Sequence, residues 1–256
     1  MNLICKAMVS SSGTPIWHFA PCTGLECSAP GARSRFVRGY LGSLGDVTNS
    51  EGDHLETEQK YDADAEFVLP NLGSLPELGS RRTADPRRIY LSATYFDTED
   101  FDLLKHKVTL RRRVGGDDEG WHLKLPVRKD TRQELHAPLG EGGSGNVPAR
   151  LASQVEEITA GKRLHPVAIL DTERTVVRVP GPPASAQVEV ADDKVTATRF
   201  DQANSEPMTW REIEVEALAD DSGAAAILET VGKALLEAGA RRSASGSKLA
   251  RVLAAG

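Results

Sequence analysis

From Leu55 onward, charged and apolar positions alternate with a period of two, the spacing of strands whose two faces differ in chemistry. In residues 107–114, Lys107, Thr109, Arg111 and Arg113 share one face, and Val108, Leu110 and Val114 share the other. In residues 210–217, Glu212, Glu214 and Glu216 form a carboxylate ladder opposite Ile213, Val215 and Ala217. Glu56, Glu58 and Lys60 align near the start of the patterned region. Gln187 and Glu189 oppose Val188 and Val190, and Lys124 opposes Leu123 and Leu125. At least five strands therefore carry one charged and one apolar face.

Helices are few. Asn146, followed by Val147 and Pro148, predicts an N-cap and first turn for a helix running to about Thr159 and ended by Gly161. Asp221 or Ser222 starts an Ala-rich amphipathic helix that Gly239 ends. Residues 72–78, broken by Gly73 and Pro76, allow at most a short helical turn. Hairpin strands with occasional helices predict an antiparallel, barrel-like α+β domain, with neither βαβ alternation nor an internal repeat.

Residues 1–50 have a different texture: Ser, Gly and Pro punctuate them and no apolar period persists. They predict a disordered N-terminal extension ahead of one folded domain over 51–256. Lys6, Arg33, Arg35 and Arg38 against Glu26 and Asp46 would suit a transit peptide, but a signal peptide's short apolar core and cleavage site are missing. A dispensable leader, or a start codon set too far upstream, is the plainer reading.

Composition sharpens this picture. The 256 residues allow one large domain or two small ones at roughly 100–200 residues each. No run approaches the roughly 18 apolar residues of a membrane-spanning helix. The 31 Lys+Arg and 37 Asp+Glu give a net charge of -6, so no global positive field draws nucleic acid, and any anion site must be a local concentration of cations. The extension is net basic, so residues 51–256 are more acidic still. Cys5, Cys22 and Cys27 lack metal-ligand or redox spacing, and the remainder is cysteine-free, as suits a reduced cytoplasmic domain.

One charged strand face is equally well the solvated side of a sheet. Five together are harder to leave in water, because like charges directly opposite each other in a sheet are destabilising. If the sheet closes with its charged faces inward, cations and carboxylates can hold a polyanion together with a divalent metal, while helices cover the apolar faces outside. Triphosphate with Mg²⁺ or Mn²⁺ fits both signs of charge.

The ordered motifs Glu56-Thr57-Glu58-Gln59-Lys60, Tyr95-Phe96-Asp97-Thr98, Leu110-Arg111-Arg112-Arg113, Trp121 to Pro126, Glu212 to Glu216 and Ser247 to Arg251 resemble successive signatures of one family. It is the CYTH domain, or triphosphate tunnel metalloenzyme superfamily, which includes class IV adenylyl cyclases, thiamine triphosphatases and inorganic triphosphatases. The resemblance covers about residues 54–252. Its layout is similar to the N-terminal half of bacterial proteins in which this domain precedes a histidine-rich helical CHAD domain, although no such domain is expected to follow here.

The resemblance implies an eight-stranded antiparallel β-barrel with a triphosphate lying along its tunnel and helices packed outside. Glu56, Glu58, Glu214 and Glu216 would bind metal, with Glu189 a further candidate, and hard carboxylate oxygens suit Mg²⁺ or Mn²⁺. Lys60, Arg111, Arg113, Lys124, Arg174 and Lys248 would grip phosphate oxygens, Glu56, Glu58, Lys60 and Lys124 being catalytic. Arg132 and Arg178 are weaker candidates on the same alternation. Many relatives have Lys-x-Arg where Thr172-Glu173-Arg174 stands here, so one substrate-facing cation is missing. His54, His106, His122, His136 and His165 form no ligand-spaced pair and read as surface or second-shell residues, while Tyr95, Phe96 and Asp97 read as core and turn.

The function these features imply is metal-dependent hydrolysis of inorganic triphosphate, a related short linear polyphosphate or an organic triphosphate by activated water. A class IV-type adenylyl cyclase, a thiamine triphosphatase and a non-catalytic polyphosphate-binding module are the alternatives. The carboxylates favour catalysis over mere binding, and the 5% aromatic content offers little to recognise a nucleobase. The implied partner is a triphosphate-containing small molecule, with neither nucleic acid nor membrane, and a homodimer is compatible with the pattern.

Overall fold

Among the described residues the chain forms nine strands, the period-two segments among them: β1 (His54–Ala63), β2 (Arg87–Asp97), β3 (Thr109–Val114), β4 (Gly120–Arg128), β5 (Thr131–Ala137), β6 (His165–Pro180), β7 (Gln187–Arg199), β8 (Met208–Ala217) and the short β9 (Arg241–Arg242). The computed structural model describes residues 54–78, 83–143, 145–180, 187–201, 206–218 and 222–254, and the expected extension over 1–50 lies outside them.

The sheet runs β5-β4-β3-β2-β6-β7-β8-β1-β9, and a further β5–β1 pairing closes its first eight members into an antiparallel barrel. Strand β1 makes the closure by dividing its length between two partners. Its first half pairs with β5, placing Glu56 opposite Arg132, and its second half pairs with β8, placing Lys60 opposite Glu214. Closure removes the free sheet edges and fixes which face of every strand points inward. At the β3–β4 turn Gly115 has φ 88°, and a β-carbon there would collide with the Tyr90 carbonyl, so only glycine fits.

Outward apolar residues meet helices in two clusters. Tyr61, Val190, Ile213 and Val215 pack with Ile227, Val231 and Leu235 of α4 (Ser222–Glu237). Leu110, Trp121, Leu123 and Leu135 pack with Leu103 of α1 (Asp102–Lys105) and Leu151 of α2 (Ala149–Ser153). Buried Asp97 accepts the amides of Leu103 and Leu104 at 2.9 and 3.0 Å, so its carboxylate organises α1, in keeping with a turn role.

Two expectations need correction. The single helix expected to end near Thr159 is two, α2 and α3 (Glu156–Thr159). Pro148 rather than Asn146 stands at the N-cap, and the end of α2 tightens into i→i+3 bonds, Gln154 N–H to Leu151 O and Val155 N–H to Ala152 O. That tightening turns Val155 into the core, where it is fully buried. Nor do all helices lie outside. Leu249 and Val252 of α5 (Lys248–Ala254) pack with Ala93, Tyr95, Leu170, Val195 and Ala197, which share the inward strand faces. The charged interior is thus bounded at one end by an apolar plug. Residues 72–78 form two single 3₁₀ turns, as the Gly and Pro there require. Among the described residues no helix is long and apolar enough to cross a membrane.

Candidate functional site

Alternation inside a closed barrel sends every second side chain into a shared interior. That interior is a cavity of about 530 Å³. Glu56, Glu58, Lys60, Arg111, Arg113, Lys124, Arg174, Glu189, Glu214, Glu216 and Lys248 all line it, as do Arg132 and Arg178. Arg112 and Arg211 do not. Arg211 lies outside, bonded to Asp192 at 2.8 and 2.7 Å and stacked on Phe67.

The interior charges divide into three groups. In the first, Asp193, Glu212 and Glu214 bring carboxylate oxygens within 4.8 Å of one another. Cations surround them: Lys248 Nζ lies 2.9, 2.8 and 2.8 Å from Asp193, Glu212 and Glu214, and Arg174 bonds bidentately to Asp193 at 2.7 Å and to Glu214 at 2.6 Å, while one Glu212 oxygen is buried without a hydrogen bond. Lys60 also bonds Glu214 and reaches Glu58 at 2.8 Å. Burial opposes the Glu214 charge, but Lys248, Lys60 and Arg174 outweigh it and hold the carboxyl well below its usual range.

The second group is Glu56, Glu58 and Glu216, which are compensated less completely. Lys124 grips Glu56 at 2.6 and 2.5 Å, and Arg132 stands 3.6 Å from Glu58. One Glu58 oxygen is buried without a hydrogen-bond donor. Glu58 faces Glu216 across the β1–β8 ladder. Burial, reinforced by Glu56 and Glu58, pushes the Glu216 carboxyl up to about 8. Crowded carboxylates with an undonated oxygen are what a hard divalent cation would satisfy, so these residues fit one.

Arg111 and Arg113 of β3 form the third group. The Nε atoms of both are buried without an acceptor. Arg111 reaches only the Tyr95 hydroxyl, at 3.5 Å, and Arg113 pairs with Asp118 at the cavity rim. Burial and the neighbouring Arg111 charge lower the Arg113 guanidinium from its usual range. These two guanidiniums bring unsatisfied donors to the same cavity as the partly compensated carboxylates.

Sequence reasoning passed over Asp193, Glu134 and the placement of His122. The signal was present in the same alternation: Asp193 follows Glu189 by four positions on β7, and Arg132, Glu134 and His136 alternate on β5. His122 is buried rather than on the surface. Its Nδ1 lies 2.6 Å from Glu134, its Nε2 lies 3.0 Å from the Asp118 carbonyl, and its ring stands edge-on to His136. His54 has no described side chain. The missing cation at position 172 is a buried Thr, and Glu173 turns outward toward Arg88 at 3.8 Å.

A closed antiparallel barrel whose inner wall carries both cations and carboxylates defines the class: a barrel around a charged tunnel. The chain belongs to the CYTH domain family, which matches residues 55–253. Over 211 residues it is 38% identical to an uncharacterized protein of Mycobacterium tuberculosis, matched in strains CDC 1551 and H37Rv, covering 79% of this chain and 40% of the relative. The chain therefore spans about two fifths of the length of those curated relatives. A Bacillus halodurans crystal structure of a candidate adenylate cyclase aligns with a TM-score of 0.50 at 16% identity, covering 78% of this chain and 98% of that one; the likeness is one of fold. A Hippeastrum protein, whose structure is described as revealing a dominant triphosphatase activity, aligns with a TM-score of 0.46 at 15% identity over 78% of this chain and 95% of that one.

Proposed function

We propose that this domain hydrolyses the terminal phosphoanhydride of inorganic triphosphate or a related short linear phosphate, using Mg²⁺ or Mn²⁺. The observation that carries this reading is the pair Arg111 and Arg113: one half-buried and one buried arginine, each with a buried Nε left without an acceptor, set in one cavity with the partly compensated carboxylates Glu56, Glu58 and Glu216. Planar guanidiniums match phosphate oxygens bidentately.

A divalent metal on Glu56, Glu58 and Glu216 would neutralise phosphate charge and acidify water. Arg111 and Arg113 orient the polyphosphate and stabilise the charge that grows on its non-bridging oxygens. Lys60, Lys124, Arg174 and Lys248 exchange part of their carboxylate bonds for phosphate oxygens as substrate enters. Water attack at the terminal phosphorus breaks its bond to the bridging oxygen, which leaves with its electron pair on the shortened chain. Among the described residues, Phe, Trp and Tyr contribute only Tyr95 to the cavity lining, which favours a phosphate chain over a nucleoside.

Phosphate release from tripolyphosphate, ATP, thiamine triphosphate and longer polyphosphates, with Mg²⁺ or Mn²⁺ and with excess chelator, tests the reading. Metal-dependent release fastest on tripolyphosphate is expected. Cyclic AMP with pyrophosphate as the products would replace it with a cyclase, and tight binding without turnover on any of the four would replace it with a binding module.

A further inference from the structure

A second cavity of about 1030 Å³ adjoins the tunnel beside α5, and the two share Glu58, Lys60, Thr109, Arg132 and Ser247 in their linings. This outer chamber differs in charge from the opposite rim. There the cations are paired: Arg87 with Asp117 at 2.6 Å, Arg178 with Glu189 at 3.2 Å, and Arg113 with Asp118. In the chamber, Lys107, Arg128, Lys129 and Arg242 are exposed and, among the described residues, make no ion pair. Arg128 donates to the Thr131 hydroxyl at 3.2 Å, and Arg242 lies 4.6 Å over the Tyr61 ring. Among the described residues only Asp130 and the shared Glu58 are acidic in its wall.

Four uncompensated cations concentrated at one mouth of an acidic protein mark a local anion site. Among the described residues no aromatic side chain lines the chamber, so these offer a nucleobase no stacking surface. Exposed lysines and arginines without planar apolar walls suit a flexible chain of repeating charges.

We infer that the chamber is a second subsite, holding the phosphates of a linear polyphosphate beyond those inside the tunnel, so that the substrate class extends to chains longer than triphosphate. The inference rests on the tunnel reading above and adds a direction to it. The chain end enters the tunnel, and the remainder leaves past Arg132 over Arg128 and Lys129. Because these cations are exposed, the added affinity is salt-sensitive, whereas binding inside the tunnel is screened far less.

Titration calorimetry on the full chain in excess chelator tests this, with tripolyphosphate, long-chain polyphosphate counted by chain ends, and an RNA oligonucleotide bearing a 5′-triphosphate. At low salt the long chain should bind roughly ten-fold or more tightly than tripolyphosphate, since several exposed cations add to its hold at once. The double variant Arg128→Glu/Lys129→Glu, in an exposed hairpin, should erase the preference and leave tripolyphosphate affinity within about two-fold. Tripolyphosphate binding without a chain-length preference, or a preference that survives the double reversal, overturns this inference alone. RNA bound as tightly as polyphosphate and released by the same reversal assigns the chamber to nucleic acid and overturns it too. Failure of the parent protein to bind tripolyphosphate with chelator or with metal overturns the tunnel reading, and this subsite with it.

Discussion

Glu58 on β1 lies directly opposite Glu216 on β8, both facing the barrel interior, and burial, reinforced by the charges of Glu56 and Glu58, makes Glu216 hold its proton up to about pH 8. A folded-state pKa above the ordinary value of 4.5 means that the folded protein binds more protons than the unfolded chain between those limits. This group's stabilising contribution is therefore complete below about 4.5 and is lost as pH rises through about 8. In metal-free denaturant titrations, stability should fall across that window, and Glu216→Gln should flatten the decline. Calorimetry near pH 7 in buffers of different ionisation enthalpy should also show proton release when metal binds, as Glu216 gives up its proton to become a ligand.

Glu56→Gln and Glu58→Gln keep side-chain size and remove charge. Each should lower metal-dependent phosphate release by about 100-fold or more while circular dichroism remains unchanged. Undiminished hydrolysis by both variants would show that these carboxylates do not carry the metal.

Register separates the functions of neighbouring arginines. Arg111 and Arg113 line the cavity and Arg112 does not. Arg111→Glu or Arg113→Glu should cost about 2–5 kcal/mol of tripolyphosphate binding, while Arg112→Glu, at a position facing away, should cost about 0–1 kcal/mol. Ligand-induced shifts in melting temperature should follow the same order, because ligand binds only the folded state.

Burial, helped by Arg111 and Arg113, pushes the His122 ring down to about 4 against the pull of Glu134. A depressed folded-state value makes the contribution complete above the ordinary 6.5 and lost as pH falls through about 4. NMR titration of the imidazole should show no protonation at pH 6, and His122→Gln should weaken acid unfolding over that interval.

Gly232 on α4 faces Tyr61 so closely that an added β-carbon would collide with its hydroxyl. Glycine-to-alanine in a helix ordinarily gains about 1 kcal/mol. Here overpacking should outweigh that gain, leaving Gly232→Ala destabilised by about 1–2 kcal/mol in denaturant titration.

Much of the charged interior was legible in the sequence, because a period of two assigns each residue to a face without reference to any partner strand. Alternation alone grouped Glu212, Glu214 and Glu216, separated Arg111 and Arg113 from Arg112, and aligned Glu56 with Glu58 and Lys60. The same rule would have exposed Asp193 and Glu134, but single charges between small or mixed residues form no visible row. The division of the 147–159 segment escaped for another reason: Val155 leaves the helix to fill a core that local propensity does not describe.

The sequence by itself determined which side chains share a face, the closed antiparallel class and the sign of each wall. Only the tertiary structure decided how those charges are paired. Lys248 comes from a helix at the far end of the chain, yet it sits within bonding distance of Asp193, Glu212 and Glu214. Ion pairing depends on separations of a few ångströms between residues distant in sequence, and barrel closure sets them. It leaves Arg111 and Arg113 with donors to spare, leaves Glu216 protonated, and gathers the unpaired cations at one mouth.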